Sequence, residues 1–214
     1  SSSATPSVAE NVQNVVSLSV TDSDSSGSAS FAITGGADNS LFEISSGTLR
    51  FASAAGQNYE SMTCASNPCV VVVRATDAGG NTGTQVVSVT IQDVNEASPE
   101  FTDGATATAT PNENQQAVGT YAATDADGSA TQTYSILTAA QNAASVDHDL
   151  FSVAGGGVLT FQASPNYEDA GCGAGDDSNT CAVVIQVTDG ANTDTITVTV
   201  NVQDVNEFSP EFTD

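Results

Sequence analysis

Tryptophan is absent from this chain, methionine and histidine occur once each, and only two bases, Arg50 and Arg74, face 26 acids. The formal net charge is −24. Phosphate contacts need Lys and Arg, so this balance points away from any nucleic-acid partner, and it disfavours an anionic membrane surface for the same reason. Long apolar runs are missing as well. Nothing approaches the roughly 18 consecutive apolar residues that would cross a bilayer. The N-terminus, Ser1-Ser-Ser-Ala-Thr-Pro6, has neither the charged nor the apolar region of a signal peptide, so none is read there and the chain reads as part of something longer. No nucleophile elbow, phosphate-cradling Gly loop or His-based catalytic group is recognisable, and an enzyme is not expected.

What remains is rich in Thr, Ser, Val, Ala and Gly, with only 13% charged residues. That is a β-rich composition with many turns rather than a disordered acidic tail. So much unneutralised negative charge repels itself and opposes compactness. Divalent cations are the obvious neutralisers, and a solubilised surface is the alternative for part of the charge.

One acidic phrase occurs twice, as Asp93-Val-Asn-Glu-Ala-Ser-Pro-Glu-Phe101 and Asp204-Val-Asn-Glu-Phe-Ser-Pro-Glu-Phe212. The repetition extends along the whole chain. Glu10-Asn11 matches Glu113-Asn114, and Thr21-Asp-Ser-Asp24 matches Thr124-Asp-Ala-Asp127. Asn58-Tyr-Glu60 matches Asn166-Tyr-Glu168, and Ala75-Thr-Asp77 matches Val187-Thr-Asp189. Two domains of about 105 residues follow, within the usual size range. Their expected bounds are 1–97 and 98–208, with 209–214 opening another repeat.

Between the acidic phrases lie strand-length segments such as Val15–Val20, Val70–Ala75, Val86–Ile91, Val183–Val187 and Ile196–Val202. They are β-branched, bounded by Gly, Asn, Asp and Ser, and none sustains a helical period. Thr195-Ile-Thr-Val-Thr-Val200 alternates cleanly, with Ile196, Val198 and Val200 on one face. About seven short strands per hundred residues predict an all-β fold, two tandem antiparallel Greek-key sandwiches. The cysteines form two close pairs, Cys64/Cys69 and Cys172/Cys181, each placed after an Asn-Tyr-Glu and before an apolar strand. Zinc is the rival reading, but the spacings differ and His148 is distant in sequence; two local disulfides are favoured, which implies an oxidising, extracytoplasmic setting.

Read in order, Ala9-Glu-Asn11, Asp22-Ser-Asp24, Asn58-Tyr-Glu60, Ala75-Thr-Asp77 and Asp93-Val-Asn-Glu-Ala-Ser-Pro-Glu-Phe101, with their second copies, resemble the markers of the extracellular cadherin repeat. The resemblance covers essentially the whole chain. It implies an extended, seven-stranded sandwich pair with two to three calcium ions at the inter-repeat junction. Carried over residue by residue, it implies ligands Glu10, Asn58, Glu60, Asp93, Asn95 and Glu96 from the first repeat, with backbone carbonyls near Val94 and Ala97. The second repeat would add Asp125, Asp127 and Asp189. Asp22, Asp24 and Asp77 would form an acceptor half-site at one end, and Glu113, Asn166, Glu168, Asp204, Asn206 and Glu207 a donor half-site at the other.

Calcium takes six to eight oxygens in a tolerant geometry, which loop Asp, Glu and Asn side chains provide; magnesium demands a smaller octahedral shell. Carboxylates about 5 Å apart repel by ~3 kcal/mol at an effective dielectric near 20, so a cation turns a repulsive cluster into a clamp. Two positions depart from the family. Asn58 and Asn166 stand where it has Asp, and Glu96 and Glu207 where it has a second terminal Asp. The inner ions are therefore expected to be better held than the outer one.

Other residues carry blander readings. His148, Asp176 and Asp177 read as solvated loop residues, and Tyr59 and Tyr167 as packing residues that aim the adjacent Glu. The resemblance implies an extracellular or cell-surface extender or adhesion segment whose partners are calcium, neighbouring repeats of its own chain and another surface protein or glycan. Exchange of an N-terminal Trp, the vertebrate mode of adhesion, is excluded by the lack of Trp. The composition, with no Asn-x-Ser/Thr sequon, leans towards a bacterial surface adhesin. A carbohydrate-binding module of a bacterial extracellular protein is the alternative.

Overall fold

The computed structural model describes residues 2–23, 29–128, 131–169, 171–172 and 179–210. Asp24, Asp176 and Asp177 lie outside the described residues. The chain divides into two compact units, Ser1–Val94 and Asn95–Asp214. Among the described residues no helix is long and apolar enough to cross a membrane.

The first unit contains β1 (Ser2–Ala4), β2 (Ser7–Ala9), β3 (Asn14–Ser17), β4 (Ser30–Gly35), β5 (Phe42–Ser45), β6 (Thr48–Phe51), β7 (Cys69–Thr76) and β8 (Thr82–Gln92). One sheet runs β1-β8-β7-β4, with β2 also on β8; the other runs β3-β6-β5. Alternation along β7 and β8 sends Val71, Val73, Val87, Val89 and Ile91 inward against Phe42, Leu49 and Phe51 of the other sheet. That packed interior makes the unit a sandwich.

The second unit repeats the plan. It contains β9 (Glu100–Phe101), β10 (Thr106–Ala109), β11 (Ala117–Thr120), β12 (Ala123–Thr124), β13 (Thr133–Ile136), β14 (Phe151–Ala154), β15 (Val158–Phe161), β16 (Thr180–Thr188) and β17 (Thr193–Asn201). Sheets β10-β17-β16-β13 and β11-β15-β14 enclose the core, and β9 pairs with β12 as a short two-stranded addition. Ile196, Val198 and Val200 are fully buried, as the alternation of β17 requires. Both repeats keep the same tilted phenylalanine pair, Phe42–Phe51 and Phe151–Phe161, each with ring centroids 4.7 Å apart.

The sheets are antiparallel except along one edge. There the opening strands lie parallel to the closing strand of their own repeat: β1 and β2 on β8, and β10 on β17. The strand expected over Val15–Val20 stops at Ser17. Cys64–Cys69 and Cys172–Cys181 are both disulfide-bonded, as expected. Each pins its loop to the inner face of a core strand, since Cys69 and Cys181 are fully buried.

Gly47 and Gly157 occupy matching turns, with φ of +75° and +77°. A Cβ on Gly47 meets nothing within 4 Å, whereas one on Gly157 would fall on the Tyr121 carbonyl. Gly157→Ala should therefore unfold at markedly lower denaturant than Gly47→Ala. The backbone strain common to both is about 1–2 kcal/mol, and equal midpoint shifts in chemical denaturation would contradict the close approach.

Candidate metal centre

Glu10 and Glu113 sit at the heart of each repeat's acidic end, and both are 3% exposed. In each copy the following Asn has a left-handed backbone, φ 59° at Asn11 and 62° at Asn114, a conformation Asn tolerates better than most residues. That turn is tied down by Asn11 N–H to Gln57 O at 2.7 Å and Asn114 N–H to Pro165 O at 2.9 Å. The preceding Glu side chain then clips two loops together. Glu10 accepts Tyr59 N–H on Oε2 (2.7 Å) and Val94 N–H on Oε1 (2.8 Å). Glu113 accepts Tyr167 N–H on Oε2 (2.7 Å) and Val205 N–H on Oε1 (2.8 Å). Two charge-assisted bonds per carboxylate hold the Asn-Tyr-Glu loop beside the acidic phrase.

In the second unit this clip gathers a cluster. Glu113, Glu168, Asp204 and Glu207 each offer an oxygen, and the four oxygens lie within 4.8 Å of one another. Desolvation raises the pKa of Glu168, reinforced by the charges of Glu113, Glu207 and Asp204. In the first unit, Glu60 offers an oxygen within 4.8 Å of Glu10 and of Asp93. Asn58 folds back locally, its Oδ1 accepting from the Ser61 N–H and hydroxyl, each at 2.8 Å.

The second unit also builds an acceptor cluster from Asn95, Asp125, Asp127 and Asp189. Asp127 is 1% exposed and accepts Ala97 N–H on Oδ2 at 2.7 Å. Asp189 Oδ1 accepts the N–H groups of Asn192 (2.6 Å) and Ala191 (2.7 Å). The amide of Asn192 lowers the pKa of Asp189 against the opposing effect of burial, with help from Ala191 and Asn95. Asn192 Nδ2 donates in turn to Ala97 O at 2.6 Å. Asn95 and Ala97 belong to the second compact unit, which begins at Asn95.

Asn95 is the telling residue. Its side-chain amide meets Asp189 Oδ2 at 3.0 Å and Asp127 Oδ2 at 3.2 Å. With nitrogen inward it donates to both carboxylates and ties them together. Asp125 Oδ1 accepts Asp127 N–H at 3.0 Å, while its buried Oδ2 has no hydrogen-bond partner among the described residues. A hard-cation donor set fits these oxygens, and the anionic site is wrong for a soft metal or a phosphate.

Asp77, the counterpart of Asp189, sits in a loop one residue longer. Its carboxylate accepts Asn81 N–H at 2.8 Å and Asn81 Nδ2 at 2.9 Å, and these bonds from Asn81 lower its pKa. Asp22 and Glu96 are exposed. Two carboxylates outside the expected ligand set are buried, Asp38 at 4% and Asp147 at 6%, the latter beside His148 in what reads from sequence as a solvated loop. Asp38 accepts Ala65 N–H and Val70 N–H, both at 2.7 Å, and Asp147 accepts Ala182 N–H at 2.7 Å. They pin the start of a short 3₁₀ turn to the disulfide-bearing side of the sheet. The one available signal was an Asp ahead of Leu-Phe in both copies, Asp38 and Asp147. Tyr59 and Tyr167 do not pack inward as expected; each is 38% exposed, and it is their backbone N–H groups that position the glutamates.

No family model matches the sequence, and no curated protein matches it. Solved structures match the fold. Protocadherin Gamma B2 extracellular cadherin domains 3–6 superpose with a TM-score of 0.71 at 19% identity, over 96% of this chain and 50% of that one. Human Protocadherin-24 EC1-2 gives 0.68 at 16% identity over 94% of both chains, and Mouse Cadherin-23 EC22-24 gives 0.64 at 20% over 96% and 63%. The fold is therefore that of tandem cadherin repeats. The chain spans half the length of the Protocadherin Gamma B2 structure.

Two substitutions separate scaffold from metal chemistry. Glu113→Ala should cost about 2 kcal/mol or more in EDTA as well as in calcium, because two backbone donors lose their acceptor. Glu168→Gln should instead raise the melting temperature in EDTA at neutral pH, since its charge is disfavoured in the folded state. The sign is fixed by the raised pKa: the folded repeat holds the Glu168 proton more tightly, so stability in EDTA rises as pH falls through that pKa. Differential scanning calorimetry from pH 7 to 4 reads both effects, and a neutral or destabilising Glu168→Gln in EDTA would contradict the crowding of charge.

Proposed function

We propose that this chain is a calcium-binding extender or adhesion segment of an extracellular or cell-surface protein. The observation that carries the reading is the four-carboxylate group of Glu113, Glu168, Asp204 and Glu207, whose oxygens lie within 4.8 Å of one another. The buried Asp125 Oδ2, without a hydrogen-bond partner among the described residues, supports it independently. Asn95, Asp125, Asp127 and Asp189 would hold a cation as an acceptor half-site, and Glu10, Asn58, Glu60 and Asp93 with Glu96 keep the donor pattern. Val94 and Ala97 would contribute carbonyls. Asp22 and Asp77 keep the acceptor pattern for a preceding donor, and the Glu113 group keeps the donor pattern for a following acceptor.

When bound, calcium supplies positive charge that cancels carboxylate repulsion and fixes loops that otherwise diverge. The protein's own part is orientation: backbone N–H groups hold both oxygens of Glu10 and Glu113 and one oxygen each of Asp127 and Asp189, and leave the remaining lone pairs for a cation. An array of such repeats is then stiff in calcium and loose without it. No catalytic step is assigned. The disulfides suit an oxidising compartment, which fits the extracellular reading.

Calcium titration by calorimetry, with melts in calcium and in EDTA, tests the proposal. Two or more ions should bind, and the melting temperature should rise by about 5 °C or more, because a ligand of the native state stabilises by mass action. Asp125→Ala with Asp127→Ala should remove at least one binding event and most of that rise. Absence of calcium uptake in the unaltered chain would end this reading.

A further inference from the structure

No strand lies between Phe51 and Cys69, yet Glu60 is presented from the middle of that stretch. The entry to the loop is fixed by backbone. Asn11 N–H bonds Gln57 O at 2.7 Å, and Gly56, at φ +75°, lies so close to Val12 that a Cβ would fall 2.5 Å from its carbonyl oxygen. The exit is fixed by side chains. Buried Gln57 turns its Oε1 across the base of the loop and accepts the Thr63 N–H at 3.1 Å and the Thr63 hydroxyl at 2.8 Å. Cys64 comes next and is bonded to fully buried Cys69, the first residue of β7. Beyond it the Asn67 side chain pairs with Ile91 of β8 as a strand residue would, Nδ2 to O at 2.9 Å and N–H to Oδ1 at 3.0 Å.

The second repeat keeps the bridge and changes the ties around it. Cys172 follows Glu168 by four residues, as Cys64 follows Glu60. The step to the second cysteine is five residues in one copy and nine in the other. The distance from ligand to bridge is thus held while the loop inside the bridge differs in length. Entry is again by backbone, Asn114 N–H to Pro165 O at 2.9 Å. Pro165 and Gly171 stand where Gln57 and Thr63 stand, and neither side chain can donate or accept, so that closure is lost. Asn179, two residues ahead of Cys181, supplies an exposed tie instead, Nδ2 to Tyr167 O at 3.0 Å. Glu168 meanwhile shares its place with Glu113, Asp204 and Glu207, whose charges drive its side chain outward. A covalent anchor four residues away resists that drift.

We infer that each disulfide is the positioning element of its Asn-Tyr-Glu loop toward a hard cation, so that the chain gains its cation affinity only when its bridges are closed. The inference rests on the calcium reading above. Closing a bridge passes two electrons and two protons from the cysteine pair to a disulfide oxidant, which leaves as its dithiol. With the bridge open, the loop exit is released and Glu60 or Glu168 swings away from the neighbouring carboxylates. A cation must then order the loop as it binds, which weakens affinity without removing any ligand. The thiols left behind are soft donors and do not replace a carboxylate oxygen. The sandwich itself is held by other contacts, the strand pairing of β7 with β8 and of β16 with β17. Lacking the Gln57 closure, the second repeat depends on its bridge more than the first.

The test is calcium titration by calorimetry on the unaltered chain, on Cys64→Ala/Cys69→Ala and on Cys172→Ala/Cys181→Ala. All are read at a temperature where circular dichroism shows the sheets folded in EDTA. Each variant should lose about tenfold or more in calcium affinity, with the larger loss in Cys172→Ala/Cys181→Ala. A second readout needs no calcium. In EDTA the Tyr59 and Tyr167 N–H groups, which bond Glu10 and Glu113, should exchange with deuterium faster in the matching variant, while the amides of β8 and β17 stay protected. Where a variant does not fold, dithiothreitol reduction of the unaltered chain makes the same comparison, and reoxidation should restore the affinity. Equal calcium affinity with bridges closed and open would overturn the inference and leave the calcium reading standing. Tyrosine amides that stay protected in the variants would overturn it as well. No calcium uptake by the chain with closed bridges would overturn both.

Discussion

A carboxylate that accepts backbone N–H groups is the interaction on which this structure rests. With 26 acids and two bases, ion pairing cannot hold the loops. Among the described residues the arginine–carboxylate pair is Arg50–Glu43 at 2.6 Å, partly exposed on one sheet face and therefore of small net worth. The work passes to amides. Glu10, Glu113, Asp38, Asp127, Asp147 and Asp189 all bond backbone N–H groups at 2.6–2.8 Å. Each such bond orders a loop and keeps a negative charge in a fixed position. Loop order and the fixed placement of negative charge thus come from the same side chains.

The duplication, the sandwich class, the disulfides and most acids at the loop ends were legible in the sequence, because each left a periodic or repeated trace. Alternation in Thr195–Val200 translated directly into buried Ile196, Val198 and Val200. Other features left no such trace. Asp38 and Asp147 look like turn residues, and only the fold brings Val70 N–H and Ala182 N–H to them. Tyr59 and Tyr167 read as packing residues because tyrosine commonly is one, yet here the main chain is what matters. The hydrogen bonds that tie Asn95 and Ala97 to Asp189 and Asp127 join residues far apart along the chain, which no local reading contains.

The two repeats also show how a duplicated sequence diverges. Their aromatic pair, their glutamate clip and their left-handed Asn are superimposable in role. Their poles are not, since Tyr121 and Tyr134 became Leu18 and Phe31, and Asp194 became Gly83. Gly157 has lost all freedom against the Tyr121 carbonyl while Gly47 retains it.

The parallel edge has a mechanical meaning. Because β1 and β2 run alongside β8, and β10 alongside β17, in the same direction, the polypeptide enters each sandwich at one pole and leaves at the opposite pole. Tension drawn through a repeat from its first strand to its last therefore slides these neighbours past one another. Their hydrogen bonds share the load side by side, in shear, instead of parting singly like the teeth of a zip.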